Sequence, residues 1–325
     1  MPRTVRLPLL VPLVCGAVLA TGMTGADTGA PPHGDEELAA VTVAAKPKKP
    51  KRAFIEVATL NTAATMSAKR AMKDIAALAA TGPDVIALQE MGSGKRRSRT
   101  KERLVECEGC RYGAYVPTPA VPGSTPILFR WSRFDLIGKG TQQVSERTYV
   151  GPRGAGPSTL RAKFVNWVQL KERRTGRQLV VLNNHAVPTV QAPGGGPNRR
   201  QPKRLALYRQ HMNGLKSLVR AFKRTGAAVV VTGDLNVNYR KDKTVRARLF
   251  PYANLGSVGI HSSYQVLGEP TRGTHELPNG TDTRLIDYVA YSSAQRGIKA
   301  VEQRVLRGYR SDHRPVVVKL RLRRR

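Results

Sequence analysis

A carboxylate and an imidazole stand side by side in "SDHRPV", at Asp312 and His313, just ahead of the apolar run 316–318. As a turn the stretch is ordinary: Ser311 and Asp312 are good turn residues, and Pro315 suits the opening of a strand. The same arrangement recurs along the chain, however. Asn61, Glu90, His185, Asp234 and Asn236 each sit at or just past the end of an apolar run, in "AFIEVATLN", "PDVIALQE", "QLVVLNNH" and "AAVVVTGDLN". These residue types suit one chemistry. A hard divalent cation such as Mg²⁺ takes oxygen ligands, commonly one or two carboxylates with waters and phosphate oxygens. Glu90 and Asp312 can supply the carboxylates and Asn61 a neutral ligand. His185 and His313 can donate to phosphate oxygens or exchange protons near neutral pH. Asp287, inside "LIDY", can orient one imidazole. The glycine run 194–201 has no Walker-type lysine and reads as a loop, and no histidine spacing suits a catalytic zinc.

Such side chains meet only if the strands bearing them end on one edge. Strand-like runs are expected at 53–61, 83–90, 127–131, 163–170, 178–185, 227–236 and 284–292. They alternate with helices: 67–82 has a Ser cap, strong helix formers and a closing Gly. Residues 203–226 place Leu205, Tyr208, Met212, Leu215, Val219 and Phe222 at steps of three and four, the stripe of a helix packed on a sheet. His211 lies beside that stripe and reads as structural. In an α/β fold the ends of neighbouring strands open into a common crevice, so six polar strand ends point to a single site.

The totals bound the rest. The chain has 325 residues and a formal net charge of +33, from 55 Lys and Arg against 22 Asp and Glu, a balance that draws polyanions. Residues 1–26 read as a secretion signal: two early arginines, an apolar stretch at 7–20, then small residues. Residues 27–52 read as a flexible basic linker, with a catalytic domain at 53–325. No later stretch is long and apolar enough to span a bilayer. In an exported protein Cys107 and Cys110, in "CEGC", are expected to form a local disulfide.

The motifs "LNT", "LQE", "NNHAV", "GDLN", "LIDY" and "SDHRPV", in this order, resemble the endonuclease/exonuclease/phosphatase superfamily, of the deoxyribonuclease I type, over about residues 53–322. The resemblance implies a four-layered α/β sandwich, two mixed β-sheets flanked by helices, with the site at the sheets' edge. It makes Glu90 the main metal carboxylate with Asn61 and Asp312 beside it. Asp234 and Asn236 become the pair that handles the attacking water and holds the phosphate. His313 becomes the phosphate-contacting histidine, oriented by Asp287, and His185 the second histidine, at the transition state or the leaving oxygen. The identity of the general base stays open. Arg314 departs from the family pattern, as does the lack of a second acid beside Asn61; the first predicts a more positive rim.

Together these features lead us to expect a secreted, Mg²⁺-dependent phosphodiesterase, with Mn²⁺ or Ca²⁺ as alternative ions, acting mainly on DNA and as a monomer. Two basic segments read as loops able to track a phosphate backbone: one holds Lys95, Arg96, Arg97 and Arg99, the other Arg199 and Arg200. The alternatives are a sphingomyelinase-type phospholipid phosphodiesterase, which would favour an exposed apolar hairpin, and a non-catalytic polyanion-binding relative.

Overall fold

The apolar runs become strands buried on both faces. The computed structural model describes residues 52–151, 159–277, 280, 281, 283–292 and 297–323; the expected signal 1–26 and nearly all of the expected linker 27–52 lie outside them. In chain order the first half holds β1 (Arg52–Asn61), α1 (Ala68–Ala80), β2 (Val85–Gln89), α2 (Gly94–Leu104), β3 (Tyr112–Tyr115), β4 (Ile127–Arg130), β5 (Phe134–Ser145), β6 (Thr148–Tyr149), β7 (Thr159–Leu160) and β8 (Lys163–Glu172). The second half holds β9 (Gln178–His185), α3 (Pro202–Arg224), β10 (Ala228–Asp234), α4 (Tyr239–Val245), α5 (Pro251–Gly256), β11 (Ile260–Ser262), α6 (Ser263–Leu267), β12 (Asp287–Ser292), β13 (Ile298–Val305) and β14 (Val316–Arg323).

Two six-stranded sheets face each other, ordered β13-β14-β1-β2-β4-β3 and β11-β12-β10-β9-β8-β5. Each has one parallel pair, β1 with β2 and β9 with β10; their other pairings are antiparallel. Each parallel pair is joined by a helix, α1 and α3 respectively, because parallel neighbours need a crossover. Alternation along the strands sorts side chains into layers. Ile55, Val57, Val181, Val230, Val316 and Val318 fill the space between the sheets. Ala58, Leu60, Ile86 and Leu88 meet Ile75 and Leu78 of α1, while Val180, Leu182, Val229 and Val231 meet Tyr208, Met212 and Leu215 of α3. Both faces being covered explains why these strands read as continuous apolar runs and not as alternations. The result is the four-layered α/β sandwich.

Two expectations change. Residues 94–104 are not a loop but α2, whose inward residues are Arg96 and Thr100; with no apolar stripe the helix leaves no periodic signal. His211 is fully buried within the α3 stripe, not beside it, and its Nε2 lies 2.9 Å from Asn184 Oδ1. The edge strand β5 also lacks a sequence signal, because most of its residues between Phe134 and Val144 are exposed and Gly138 and Gly140 interrupt them.

Candidate active site

Register brings the polar strand ends level. Asp234, last in β10, pairs with His185 at the end of β9 on one side and with Asp287 at the start of β12 on the other. β12 runs antiparallel to β10, so its first residue belongs to the same edge as the others' last. A side chain at Gly233 would bring its Cβ within 1.9 Å of Asn184 O, and the residue has φ +129°, so only glycine lets the backbones approach here. On the facing sheet Asn61 ends β1 and Glu90 follows β2. One side chain ties the two sheets at this edge: Asn61 Nδ2 donates to Glu90 Oε1 at 3.2 Å and to Asp234 Oδ2 at 3.1 Å. Below, Gln89 Nε2 donates to Asn183 Oδ1 at 2.7 Å, and Asn183 Nδ2 donates to Leu88 O at 2.8 Å. The gap between the sheets is therefore closed by satisfied amides directly beneath the site.

Asp312 and His313 enter from the loop before β14. Asp74 of α1, fully buried, accepts the backbone N–H groups of Arg310 (2.7 Å) and Ser311 (2.9 Å). Ser311 Oγ donates to Asn61 O at 2.7 Å and accepts the His313 N–H at 3.1 Å. The serine that reads as an ordinary turn residue thus fastens the loop to the end of β1. His313 Nδ1 lies 2.9 Å from Asp287 Oδ2, leaving Nε2 3.9 Å from Asp234 Oδ2. Burial disfavours its imidazolium, but the charge and hydrogen bond of Asp287, with Asp234 and Asp312, outweigh burial and push His313 up to about 10. His185 Nε2 sits 3.5 Å from Asp234 Oδ2 and 3.9 Å from Glu90 Oε1. Burial first, then the cations Lys163 and His313, hold His185 well below its ordinary value. Burial and the adjacent Asp287 raise Asp234, against the pull of His313, the Asn236 N–H and the Asn61 amide. One histidine favours its charged form, the other its neutral form, and the acid between them has a raised proton affinity: the separation acid–base chemistry requires.

Backbone strain collects here. Ala63 (φ 48°), Glu90 (φ 61°) and Asn236 (φ 53°) are left-handed without being glycine. What holds Glu90 is Arg96, whose guanidinium donates to Glu90 O (3.1 Å), Ala63 O (2.9 Å) and Ala64 O (3.0 Å), while the Ala64 N–H donates to the Glu90 carboxylate.

Two clefts open from this row. One, about 490 Å³, is lined by Glu90, His185, Ala120, Val121, Leu160, Arg161 and Lys163 among others. The other, about 410 Å³, is lined by Asn236, Thr189, Lys241, Thr283 and Arg284 among others.

A family model described as "Endonuclease/Exonuclease/phosphatase family" matches residues 58–313, the span from β1 to His313. The chain belongs to this family. Endonucleases, exonucleases and phosphatases all cleave phosphoric esters, and family enzymes typically depend on a divalent metal. Solved structures share the fold at low identity. An endonuclease/exonuclease/phosphatase family protein from Bacteroides thetaiotaomicron is 19% identical with a TM-score of 0.59, covering 84% of this chain and 99% of that one. D. rerio TDP2 complexed with a single-strand DNA product is 17% identical with a TM-score of 0.57, over 82% and 98%. A mannosyl-6-phosphatase from Bacteroides thetaiotaomicron is 19% identical with a TM-score of 0.57, over 82% and 99%. No curated protein sequence matches the chain.

Within this family member the donor set fits a hard divalent cation, since carboxylate oxygens with solvent access stand at the site: Glu90 is 24% and Asp312 56% exposed. Asn61, expected as a neutral ligand, is engaged here within the protein. Its Oδ1 accepts the Ala63 N–H at 3.0 Å and its amide hydrogens face two carboxylates, so it ties acids together. His275, Asp312 and His313 bring ligating atoms within 4.8 Å of one another. His313, bound to Asp287 and favouring its protonated form, is a poor ligand there. His275 escapes sequence reading because it stands alone in a Gly- and Thr-flanked loop. It packs edge-on against the His313 ring at 4.7 Å, and burial, then His313 and Arg284, lower it to about 4.

The basic residues divide. Lys95, Arg99, Arg199 and Arg200 are exposed. Arg96 is 3% exposed and fully occupied with carbonyls, so it cannot meet a substrate phosphate; Arg97 donates to Met91 O and Gly92 O. Arg314, expected to make the rim more positive, pairs with Glu276 at 2.8 Å and is only 12% exposed. Cys107 and Cys110 are joined in a disulfide. No helix among the described residues is long and apolar enough to cross a membrane.

Proposed function

We propose that the protein is a secreted, Mg²⁺-dependent phosphodiesterase acting chiefly as a DNA nuclease, and as a monomer. The observation that carries the reading is the pair of clefts, one on the Glu90–His185 side and one on the Asn236 side, each with cations in its wall: Arg161 and Lys163, Lys241 and Arg284. A monoester has one alcohol arm to seat; a diester inside a polymer has two. The net charge of +33 supports a polyanion, and the apolar stretch 7–20 supports export. One neighbour of this fold is TDP2 holding a single-strand DNA product.

The residues divide the labour. Glu90 and Asp312 would hold the cation, which supplies positive charge to the phosphoryl oxygens. The His313 imidazolium, fixed by Asp287, presents Nε2–H to a non-bridging oxygen; Asn236, whose N–H donates to Asp234 Oδ1 at 2.8 Å and whose Nδ2 donates to Ala186 O at 3.2 Å, would hold the phosphate from the second cleft. Asp234, with its raised proton affinity, accepts the proton of the attacking water. Water oxygen bonds to phosphorus as the ester P–O bond breaks, and the departing oxygen takes its proton from solvent, with the neutral His185 beside it as a hydrogen-bonding group. A sphingomyelinase-type reading is less well supported. Of the exposed large apolar side chains, Phe54, Trp131, Leu136 and Ile137 lie toward the start of β1, the end of β4 and the start of β5, at the edge opposite the site, and Tyr149 stands singly in β6 opposite Thr159 of the first cleft.

The test is the purified protein with Mg²⁺ on plasmid DNA, RNA, sphingomyelin and a phosphomonoester in parallel. We expect DNA to be cleaved fastest; preference for sphingomyelin or the monoester would replace the reading. Neutralising Lys95, Arg99, Arg199 and Arg200 should flatten the salt slope of DNA binding by roughly 0.9 per lost phosphate contact. An unchanged slope would make these side chains plain surface.

A further inference from the structure

Lys163 is a cation the chemistry above does not use. It opens β8, which runs antiparallel to β9 with Val165 opposite Asn184, so it stands beside the strand end that carries His185. It lines the larger cleft together with Glu90 and His185, in a wall that is mostly apolar through Ala120, Val121, Leu160 and Ala162 and also carries Arg161, which is exposed to solvent. Its ammonium makes no hydrogen bond and no ion pair among the described residues, and burial lowers it to about 8 despite the attraction of Asp234 and Glu90. Arg96, which also lines the cleft, is held by backbone carbonyls. A partly buried cation without a partner is unfavourable unless an anion completes it. The reacting phosphate already has His313 and His185 within the row, so a lysine in the cleft wall is placed for a second anion.

We propose that this cleft is the subsite for the nucleoside adjoining the scissile phosphate, and that Lys163 recognises the next phosphate along the strand. The apolar wall suits the faces of a base and sugar, and the ammonium suits a phosphate as a point charge. The inference rests on the nuclease reading and narrows it: the preferred substrate carries a phosphate one nucleotide beyond the cleaved bond, on the side seated in this cleft.

The test uses three dithymidine substrates with Mg²⁺: one with no terminal phosphate, one phosphorylated at the 5′ end and one at the 3′ end. The wild type should favour one phosphorylated form over the bare dinucleotide by about tenfold or more in kcat/KM, the size of a charge-assisted contact. Lys163→Met should bring that ratio close to one, and Lys163→Arg, which keeps the charge, should retain most of it. A ratio unchanged in Lys163→Met overturns the proposal, and this includes equal losses on all three substrates, which would place the lysine on the scissile phosphate or in the fold. No wild-type preference also overturns it. If the wild type cleaves none of the three but hydrolyses a monoester or sphingomyelin, the nuclease reading falls, and this inference with it.

Discussion

The unit β1–α1–β2 and the unit β9–α3–β10 are the same device used twice: two parallel strands, a crossover helix, and polar residues at the strand ends. Their chemistry differs because their surroundings do. In the first unit the working acid, Glu90, stands just past its strand on a left-handed backbone, held by the Arg96 guanidinium and open to a cleft. In the second, Asp234 is still within its strand and 2% exposed, with its position set by pairing to His185 and Asp287. An accessible carboxylate can take a cation; a buried one with charged neighbours acquires a shifted proton affinity. The shared topology supplies the convergence, and solvent access assigns the roles.

The sharpest break of that comparison is metal removal, because it attacks the first unit alone. Excess EDTA should abolish phosphoester hydrolysis and added Mg²⁺ or Mn²⁺ restore it, read with any hydrolysable ester; full turnover in chelator would leave Glu90 without its role. The second unit is tested by Asp234→Asn, and the imidazole that faces it from the loop before β14 by His313→Ala, each expected to lower kcat by about 10²–10⁴-fold with circular dichroism unchanged. Losses below tenfold in both would move the proton chemistry elsewhere. Arg96→Met should come next. Removing a guanidinium that satisfies several buried carbonyls should destabilise the fold by about 2–4 kcal/mol in urea unfolding, and lower kcat through the slackened Glu90. If the variant only raises KM for DNA and leaves stability intact, Arg96 is a substrate contact after all.

The smallest effect on turnover belongs to His211→Gln, expected within about twofold because α3 keeps His211 off the reacting row. Its signature is in stability. Burial, then Lys163, lowers His211 to about 3 from 6.5. Between those values the unfolded chain binds a proton that the folded one does not. The contribution is therefore complete above pH 6.5 and lost as pH falls toward 3. Denaturant unfolding from pH 7 to 4 should show that decline in the wild type and less of it in His211→Gln; equal declines would refute the assignment.

Much of this was legible along the chain. Strands buried on two faces must be apolar throughout, so 85–88, 228–231 and 316–318 declare themselves, and the α3 stripe does the same at helical period. An acid, amide or histidine closing such a run has no reason to be there for packing, which is why the polar ends stood out. What the chain could not display is which of several similar residues turns inward. Arg96, Arg97 and Arg99 look alike in sequence; α2 buries the first among the carbonyls of Ala63, Ala64 and Glu90, turns the second to Met91 O and Gly92 O, and leaves the third exposed. Asp74 looks like any helix acid until the loop before His313 folds onto it. Lys163 looks like the start of a strand until β8 lies beside β9, and His275 like a loop residue until its ring meets His313. The composition of each segment is a local consequence of burial, readable in one dimension. The partner of each polar group comes from the other sheet, as when Asn61 reaches Asp234 across 173 positions, and only packing the two sheets face to face decides it.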